Sequence, residues 1–149
     1  MRALCVTLFA FALACGEPPK KVEVVKPDPA SEAAYGEAVA QLEGLVREAK
    51  SLISAHKPDA AAAAITKGEP ISARVLAAPH PTLAAMEAAS DLDQLYGRML
   101  FANGNYGWAR MTFQKDRSRW LHWQPQTPET ERRKKSAETA MAECDRAIK

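Results

Sequence analysis

Three histidines are the side chains of this sequence best suited to metal binding or acid–base catalysis. They are His56, His80 and His122, and none has another histidine, a cysteine or two carboxylates within four residues. Metal and catalytic sites that can be recognised in a sequence hold their histidines at short, regular spacings. We therefore predict solvent-exposed histidines, with no metal site and no cofactor.

Other catalytic patterns lead to the same expectation. The seven glycines form neither the GxxxxGK[ST] nor the GxGxxG pattern of phosphate-binding loops, and no serine lies in a GxSxG motif. Asp91 and Asp93 stand two residues apart in a helical pattern, so their carboxylates point in different directions. We expect no catalytic residue. The alternative is an exported enzyme, hydrolase-like or carbohydrate-active, whose site the sequence does not reveal; a deep pocket with converging ionisable groups would favour it.

The aromatic and basic stretch of residues 108–123 is the strongest candidate for a binding surface, since it contains all three tryptophans of the chain. Tryptophan and arginine are enriched at the positions that dominate the energy of protein interfaces. The candidate partner-binding residues are Trp108, Arg110, Arg117, Trp120 and Trp123. Two alternatives use the same composition: packing of these aromatic residues in the core, and contact with an anionic membrane surface.

Charge is unevenly distributed along the chain. Residues 28–108 carry ten acidic and six basic side chains, whereas residues 109–149 carry ten basic and six acidic ones. The basic part includes an Arg-Arg-Lys-Lys run at residues 132–135. This run is predicted to be either a solvated helix face or a site for an acidic partner.

The elements that must position these residues are predicted to be helices. Alanine is abundant, β-branched residues are scarce, and no segment alternates apolar and polar residues with a period of two. The first helix is predicted to begin at Asp28 or Ser31 and to carry an apolar stripe as far as Ile53. Two shorter helices should follow, one over residues 60–67 closed by Gly68 and one from about residue 70 to residue 78.

Three further helices complete this prediction. Thr82 is the expected N-cap of a helix reaching about residue 102, and Tyr106 begins the next, which reaches about residue 123. Thr127 is the expected N-cap of the last helix, with Pro128 in its first turn. The clearest buried line in the helix from Tyr106 consists of Ala109, Phe113 and Trp120. The fold class is therefore all-α, a small bundle of antiparallel helical hairpins.

One of these hairpins resembles a tetratricopeptide helix pair. Its small and aromatic positions have the spacing of that motif, and they are Gly97, Gly104, Tyr106, Ala109 and Phe113. The resemblance covers residues 93–121 and departs from the motif where Asp93 replaces an aromatic residue and Leu121 replaces a proline. It implies close packing of two antiparallel helices at Gly97 and Ala109. A faint second copy, displaced by 48 residues, places Ala49, Leu52, Ala61 and Ile65 at corresponding positions.

The N-terminus resembles a bacterial lipoprotein signal. Arg2 is followed by an apolar run over residues 3–13, too short to cross a bilayer, and then by Ala14 and Cys15. The resemblance implies removal of residues 1–14 and a lipid on Cys15, although Leu13 lies one position closer to the cysteine than in the usual pattern. The alternative is secretion with the same cleavage point and no lipid.

The expected domain organisation follows from this signal. Residues 1–14 form the signal peptide, residues 15–29 the lipid anchor and a disordered tether rich in proline and lysine, and residues 30–149 one helical domain. Cys144 is then left without an intramolecular disulfide partner; we expect it to face the core, and an oxidising compartment would permit a disulfide-linked dimer through it.

Together these features predict a protein-interaction or scaffold module of the bacterial cell envelope. The expected partners are the membrane, through the lipid, and another envelope protein; nucleic acid is not expected, because export separates the protein from it. A membrane-surface module that uses the basic C-terminal part is a further alternative.

Overall fold

The computed structural model describes residues 28–149, so the predicted signal peptide, Cys15 and most of the tether lie outside the described part. A 3₁₀ turn, Pro29–Ser31, is capped by the Asp28 side chain. Five α-helices follow, and no strand occurs in residues 28–149. They are α1 (Ala33–Ser54), α2 (Pro58–Leu76), α3 (Leu83–Ala102), α4 (Tyr106–His122) and α5 (Pro128–Ala147). The prediction of an all-α fold is confirmed.

The packing order of the helices follows the chain. α1 packs on α2, α3 packs on both α1 and α2, α4 packs on α3, and α5 packs on α4. The larger core cluster joins α1, α2 and α3 around Leu42, Ile65 and Leu92, and a smaller one joins α4 and α5 around Phe113 and Cys144. None of the helices within residues 28–149 is both long and apolar enough to cross a membrane.

The prediction of two short helices between Pro58 and Ala78 is wrong, because α2 is continuous and contains both Gly68 and Pro70. Gly68 is buried, and a Cβ atom there would lie 2.9 Å from Leu92 Cδ1. The glycine therefore allows α2 to approach α3 closely and does not end the helix. Packing across this contact outweighs the local helix-breaking tendencies of glycine and proline.

The hairpin of α3 and α4 has the close packing that the small-residue spacing predicts. A Cβ atom on Gly97 would lie 2.5 Å from Cε1 of the fully buried Phe113 ring. Ala109 is also fully buried, and Gly104 makes the turn with a φ of 76°. Tyr106 packs its ring edge-on against Phe101, with ring centroids 5.1 Å apart. These residues bring α3 and α4 together as the pattern indicates, and a relationship to tetratricopeptide proteins stays a prediction.

The displacement of 48 residues seen in the sequence reappears in the backbone of the two hairpin turns. α1 ends at Ser54 and α3 at Ala102, while α2 begins at Pro58 and α4 at Tyr106. His56 and Gly104 occupy the same position in the two turns, and both have positive φ, 54° and 76°. The backbone hydrogen bonds of the turns also match: Lys57 N–H donates to Leu52 O, and Asn105 N–H donates to Leu100 O. The α1–α2 and α3–α4 hairpins thus share one turn geometry, a helix C-terminal motif closed by a left-handed residue.

The start of α5 is the most regular helix terminus of the structure. Thr127 accepts a hydrogen bond from the Thr130 N–H, and the Thr130 hydroxyl accepts one from the Thr127 N–H, which completes a capping box. Pro128 occupies the first turn, as predicted. The inward side of α5 buries Ala137, Ala140 and Cys144, so the expectation that Cys144 faces the core is confirmed.

Candidate interaction surface and polar cavity

Trp120 is a core residue, and its prediction as a partner-binding residue is wrong. The side chain is 0% exposed. Its indole N–H donates to Ser90 Oγ at 2.8 Å, and the Arg133 guanidinium lies 5.4 Å above the ring. Since Trp120, Phe113 and Ala109 form the buried line predicted for α4, Trp120 lies on the side of the helix that no partner can reach.

The two candidate arginines are bound within the domain. Arg110 Nε donates to Asp145 Oδ1 at 2.6 Å, and Arg117 Nε donates to Glu138 Oε1 at 2.9 Å. Both acceptors lie on α5, so these pairs tie α4 to α5. Trp123 follows directly after α4 and is half-buried. The two arginines are thus directed towards α5, and Trp123 lies in the connection between α4 and α5.

Trp108 is the one tryptophan within residues 28–149 that is largely exposed, at 67%. It begins a solvent-facing line of residues along α4, which we call the α4 face: Trp108, Met111, Lys115, Ser118 and His122. Their spacings of three and four residues place them on one side of the helix. Met111 is 59% exposed, so the N-terminal half of the α4 face is apolar and the C-terminal half is polar.

A buried charge network joins α3 to α4 beneath this surface. Arg119 Nη2 donates to Asp93 Oδ2 at 2.7 Å, and its Nη1 donates to Asp116 Oδ1 at 3.3 Å. Arg119 and Asp93 side chains are 7% exposed and that of Asp116 is 0% exposed. Gln94 also donates to Asp116, at 2.6 Å, and Lys115 to Asp93 at 2.8 Å. No buried side-chain nitrogen or oxygen atom in the described part lacks a hydrogen-bond partner, so the network is fully satisfied.

This network forms part of the floor of a polar cavity between α1, α3 and α5. The cavity has a volume of about 300 Å³ and is lined by Lys50, Ser90, Asp91, Gln94, Asp116, Arg132, Arg133 and Ser136. Asp91, one of these lining residues, receives two charged hydrogen bonds, from Lys50 Nζ at 2.6 Å and from Arg133 Nη1 at 2.8 Å. α1, α3 and α5 are therefore linked by one carboxylate at the cavity wall.

The two carboxylates of the cavity have opposite pKa shifts. Burial raises the pKa of Asp116, and the hydrogen bonds from Gln94 and Ser90 do not offset it. Burial would also raise the pKa of Asp91, but hydrogen bonds from Lys50 and Arg133 outweigh it and hold the pKa below its ordinary value. Asp91 is therefore firmly ionised and accepts both hydrogen bonds, whereas ionisation of the buried Asp116 carboxyl group is energetically unfavourable.

The basic run at residues 132–135 is largely paired with acidic side chains of the same helix. Arg132 donates to Glu129 at 2.6 and 2.7 Å, Arg133 donates to Glu129 at 2.9 Å, and Lys134 lies 2.7 Å from Glu131. The hydrogen bonds from Arg132, assisted by the charge of Arg133, hold the pKa of Glu129 down to about 2. The run is thus a solvated face, except where Arg132 and Arg133 also line the polar cavity.

Ser54 and Lys57 have the Ser-x-x-Lys spacing found at some serine nucleophiles. The Ser54 hydroxyl donates to the Lys50 carbonyl at 3.1 Å, and both members of the pattern are exposed at the end of α1. The hydroxyl is therefore engaged by the backbone of α1 and not by Lys57, and neither residue lines the apolar pocket formed by their neighbours Ile53, His56 and Pro58.

Cys144 is 0% exposed, and burial raises the pKa of its thiol, with further increases from Asp145 and Glu143. The thiol is thus held in its protonated form, and a disulfide between two copies would require α5 to open locally. His56 and His80 are exposed, as is His122, whose Nδ1 lies 2.8 Å from the Ser118 carbonyl oxygen. Across residues 28–149, no cluster of three or more His, Cys, Asp or Glu side chains is arranged to hold a metal ion.

Comparison of the chain with protein-family models, with curated proteins and with solved structures finds no match.

Proposed function

We propose that this chain is a cell-envelope lipoprotein whose helical domain binds another envelope protein through the α4 face. The observation that carries this proposal is the outward placement of Trp108 and Met111, which are 67% and 59% exposed. The same helix buries Trp120 and Phe113 completely. α4 therefore has apolar side chains on two opposite sides, and only one of these sides is used by the fold.

Burial of Trp108 by a partner would supply most of the binding energy at such a surface. Tryptophan at the centre of an interface contributes about 2 kcal/mol or more when it is truncated to alanine. Lys115 and the polar residues Ser118 and His122 on the rest of the α4 face would then form the polar rim that such interfaces have. The candidates Arg110 and Arg117 are paired with acidic residues of α5 and lie outside the α4 face, and Trp123 follows the end of the helix.

The polar cavity is the observation that favours the alternative of an exported enzyme, because ionisable groups converge there. Lys50 and Arg133 are both held by Asp91, and Asp116 is held by Gln94 and Arg119. Asp116, the group with the raised pKa, is 0% exposed. Each of these groups is thus occupied by a neighbour, an arrangement that supports a structural or ligand-binding role over acid–base catalysis.

The lipid anchor at Cys15 is proposed from the sequence pattern of residues 1–15 and the proline-rich segment that follows. We expect wild-type protein to incorporate labelled palmitate in bacterial cells and a Cys15→Ala variant to lose that label, because the thiol is the acceptor of the lipid. Immunoblotting of both proteins in the same fractions controls for expression. Equal labelling of the two proteins would exclude a lipid on Cys15, and secretion without a lipid would then be the remaining interpretation of the signal.

The experiment that tests partner binding is a crosslinked pull-down of the full-length, anchored protein from its native envelope. Trp108→Ala should lose the specific crosslinked species, because it removes the largest exposed apolar side chain of the α4 face. Leu83→Ala is the matched control, since Leu83 is a large apolar residue, 44% exposed, on α3. Flotation of a variant that lacks residues 1–27, and with them the proposed lipid anchor, with anionic vesicles separates this function from binding of the helical domain to a membrane surface.

A further inference from the structure

Among the side chains that line the polar cavity, the accessible cations outnumber the accessible carboxylates. Lys50 and Arg132 are its most exposed charged side chains, at 51% and 67%, and Arg133 is 18% exposed. Asp91, at 29%, is the one ionisable acid on the wall that water can reach, because Asp116 is fully buried and paired with Arg119. The lining therefore presents three cations and one accessible carboxylate, and Glu129, which pairs with Arg132 and Arg133, lies outside it.

These cations retain hydrogen-bond donors that the fold does not use. Within residues 28–149, Arg133 donates through Nε to Glu129 and through Nη1 to Asp91, which leaves its Nη2 group unpaired. Arg132 donates through Nε and Nη2 to Glu129, which leaves its Nη1 group without an acceptor in residues 28–149. Lys50 uses one ammonium hydrogen for Asp91 and has two more. Unused donors on three cations at one cavity are an arrangement that recognises oxygen anions.

We propose that the polar cavity is a binding site for an oxyanion, a carboxylate or phosphate group, held by Lys50, Arg132 and Arg133. Asp91 is the residue that prepares this site, since it holds Lys50 of α1 and Arg133 of α5 in place on either side of α3. Arg133 is further fixed by its position 5.4 Å above the Trp120 ring. Fixed cations lose little conformational entropy when an anion binds.

The volume of about 300 Å³ limits the ligand to a small anion or to one acidic side chain of a larger molecule. Gln94 and Ser136 provide neutral polar groups on the same wall, suited to a ligand oxygen or hydroxyl beside the charged group. The cavity opens between α1, α3 and α5, whereas the α4 face carries the proposed protein contact. Oxyanion binding and partner binding can therefore succeed or fail separately.

The test is an NMR titration of the full-length protein in detergent with inorganic phosphate and, separately, with a glutamate-rich peptide. The indole N–H of Trp120 is the reporter, because it bonds Ser90 of the cavity and lies beneath Arg133. The indole N–H of the exposed Trp108 is the internal reference. We expect a saturable shift of the Trp120 signal with at least one probe and none of the Trp108 signal. Saturation by phosphate would identify a free anion as sufficient, and saturation by the peptide alone would identify an acidic protein segment.

Lys50→Gln and Arg132→Gln should each lower the affinity for the probe that saturates the wild-type protein by at least about tenfold, because each removes a charged donor. Both residues are exposed, so neither change disturbs the core. Arg47→Gln is the matched control: Arg47 lies on α1 one turn before Lys50, is 71% exposed and is outside the cavity lining. Absence of a Trp120 shift with both probes, or equal weakening by Arg47→Gln, would overturn the proposal.

Discussion

Replacing Arg119 by methionine is expected to lower the free energy of unfolding by about 3–5 kcal/mol, the typical cost of removing one partner from a buried ion pair. Arg119 is 7% exposed and is the shared counter-ion of Asp93 and Asp116, so its loss leaves two buried carboxylates close together. Methionine fills a similar volume, which separates the loss of charge from the loss of packing. Lys115 still neutralises Asp93, but no lysine or arginine pairs with Asp116 other than Arg119 in residues 28–149.

Urea unfolding followed by circular dichroism measures this effect. Arg117→Met is the matched control, because Arg117 lies on the same helix and pairs with Glu138 while 35% exposed. An ion pair this accessible is expected to contribute less than about 1 kcal/mol. Equal destabilisation by the two variants would contradict the assignment of the Asp93–Arg119–Asp116 network as the polar core of the α3–α4 hairpin.

Replacing Gly97 by alanine is expected to destabilise the domain by about 1–3 kcal/mol through overpacking. The added Cβ would lie 2.5, 2.7 and 3.0 Å from three carbons of the Phe113 ring, which is fully buried and cannot swing into solvent. Either α3 moves away from α4 or the ring leaves its position. Both movements loosen the packing of α3 on α4.

The control for this substitution is Gly44→Ala in the middle of α1, where the nearest atom, an exposed arginine nitrogen, is 4.0 Å away. Alanine should stabilise the protein there by roughly 0.5–1 kcal/mol, since it lowers the conformational entropy of the unfolded chain and favours the helix. Thermal melts of the two variants should thus shift in opposite directions. A stabilising Gly97→Ala would mean that α3 and α4 do not pack as described.

The helices themselves were largely predictable because their signals are local. Thr82 and Thr127 cap the helices that follow them, as their side chains and positions indicate. The displacement of 48 residues between the two hairpins was also visible in the small and apolar positions. Local signals misled in α2, where Gly68 and Pro70 look like helix ends and where packing of Gly68 against Leu92 keeps the helix continuous. They also misplaced the start of α1, which begins at Ala33 because the Asp28 side chain caps a separate 3₁₀ turn.

The candidate binding residues were less predictable, because residue type does not show which side of a helix faces the solvent. Trp120 was predicted both as part of the buried line with Phe113 and as a contact residue, and only the first can hold for a fully buried side chain. Trp108 and Met111 are large apolar residues that are exposed, and the sequence does not show this because their exposure depends on where α3 and α5 pack against α4.

The polar cavity was beyond the reach of sequence patterns. Its charged residues are Lys50, Asp91, Asp116, Arg132 and Arg133, which come from four helices and span more than half of the described chain. No short motif links them, and the sequence shows Asp91 only as one of two divergent carboxylates. Its role at the cavity became visible through the contacts with α1 and α5.

Recovery of a crosslinked partner through the α4 face is the measurement that tests the central claim most directly. The wild-type anchored protein and the Leu83→Ala variant should yield the same discrete crosslinked species from native envelope, and Trp108→Ala should yield little or none of it. Equal recovery with Trp108→Ala, or crosslinking of lipid alone together with flotation of a variant lacking residues 1–27 on protein-free anionic vesicles, would contradict partner binding by this face.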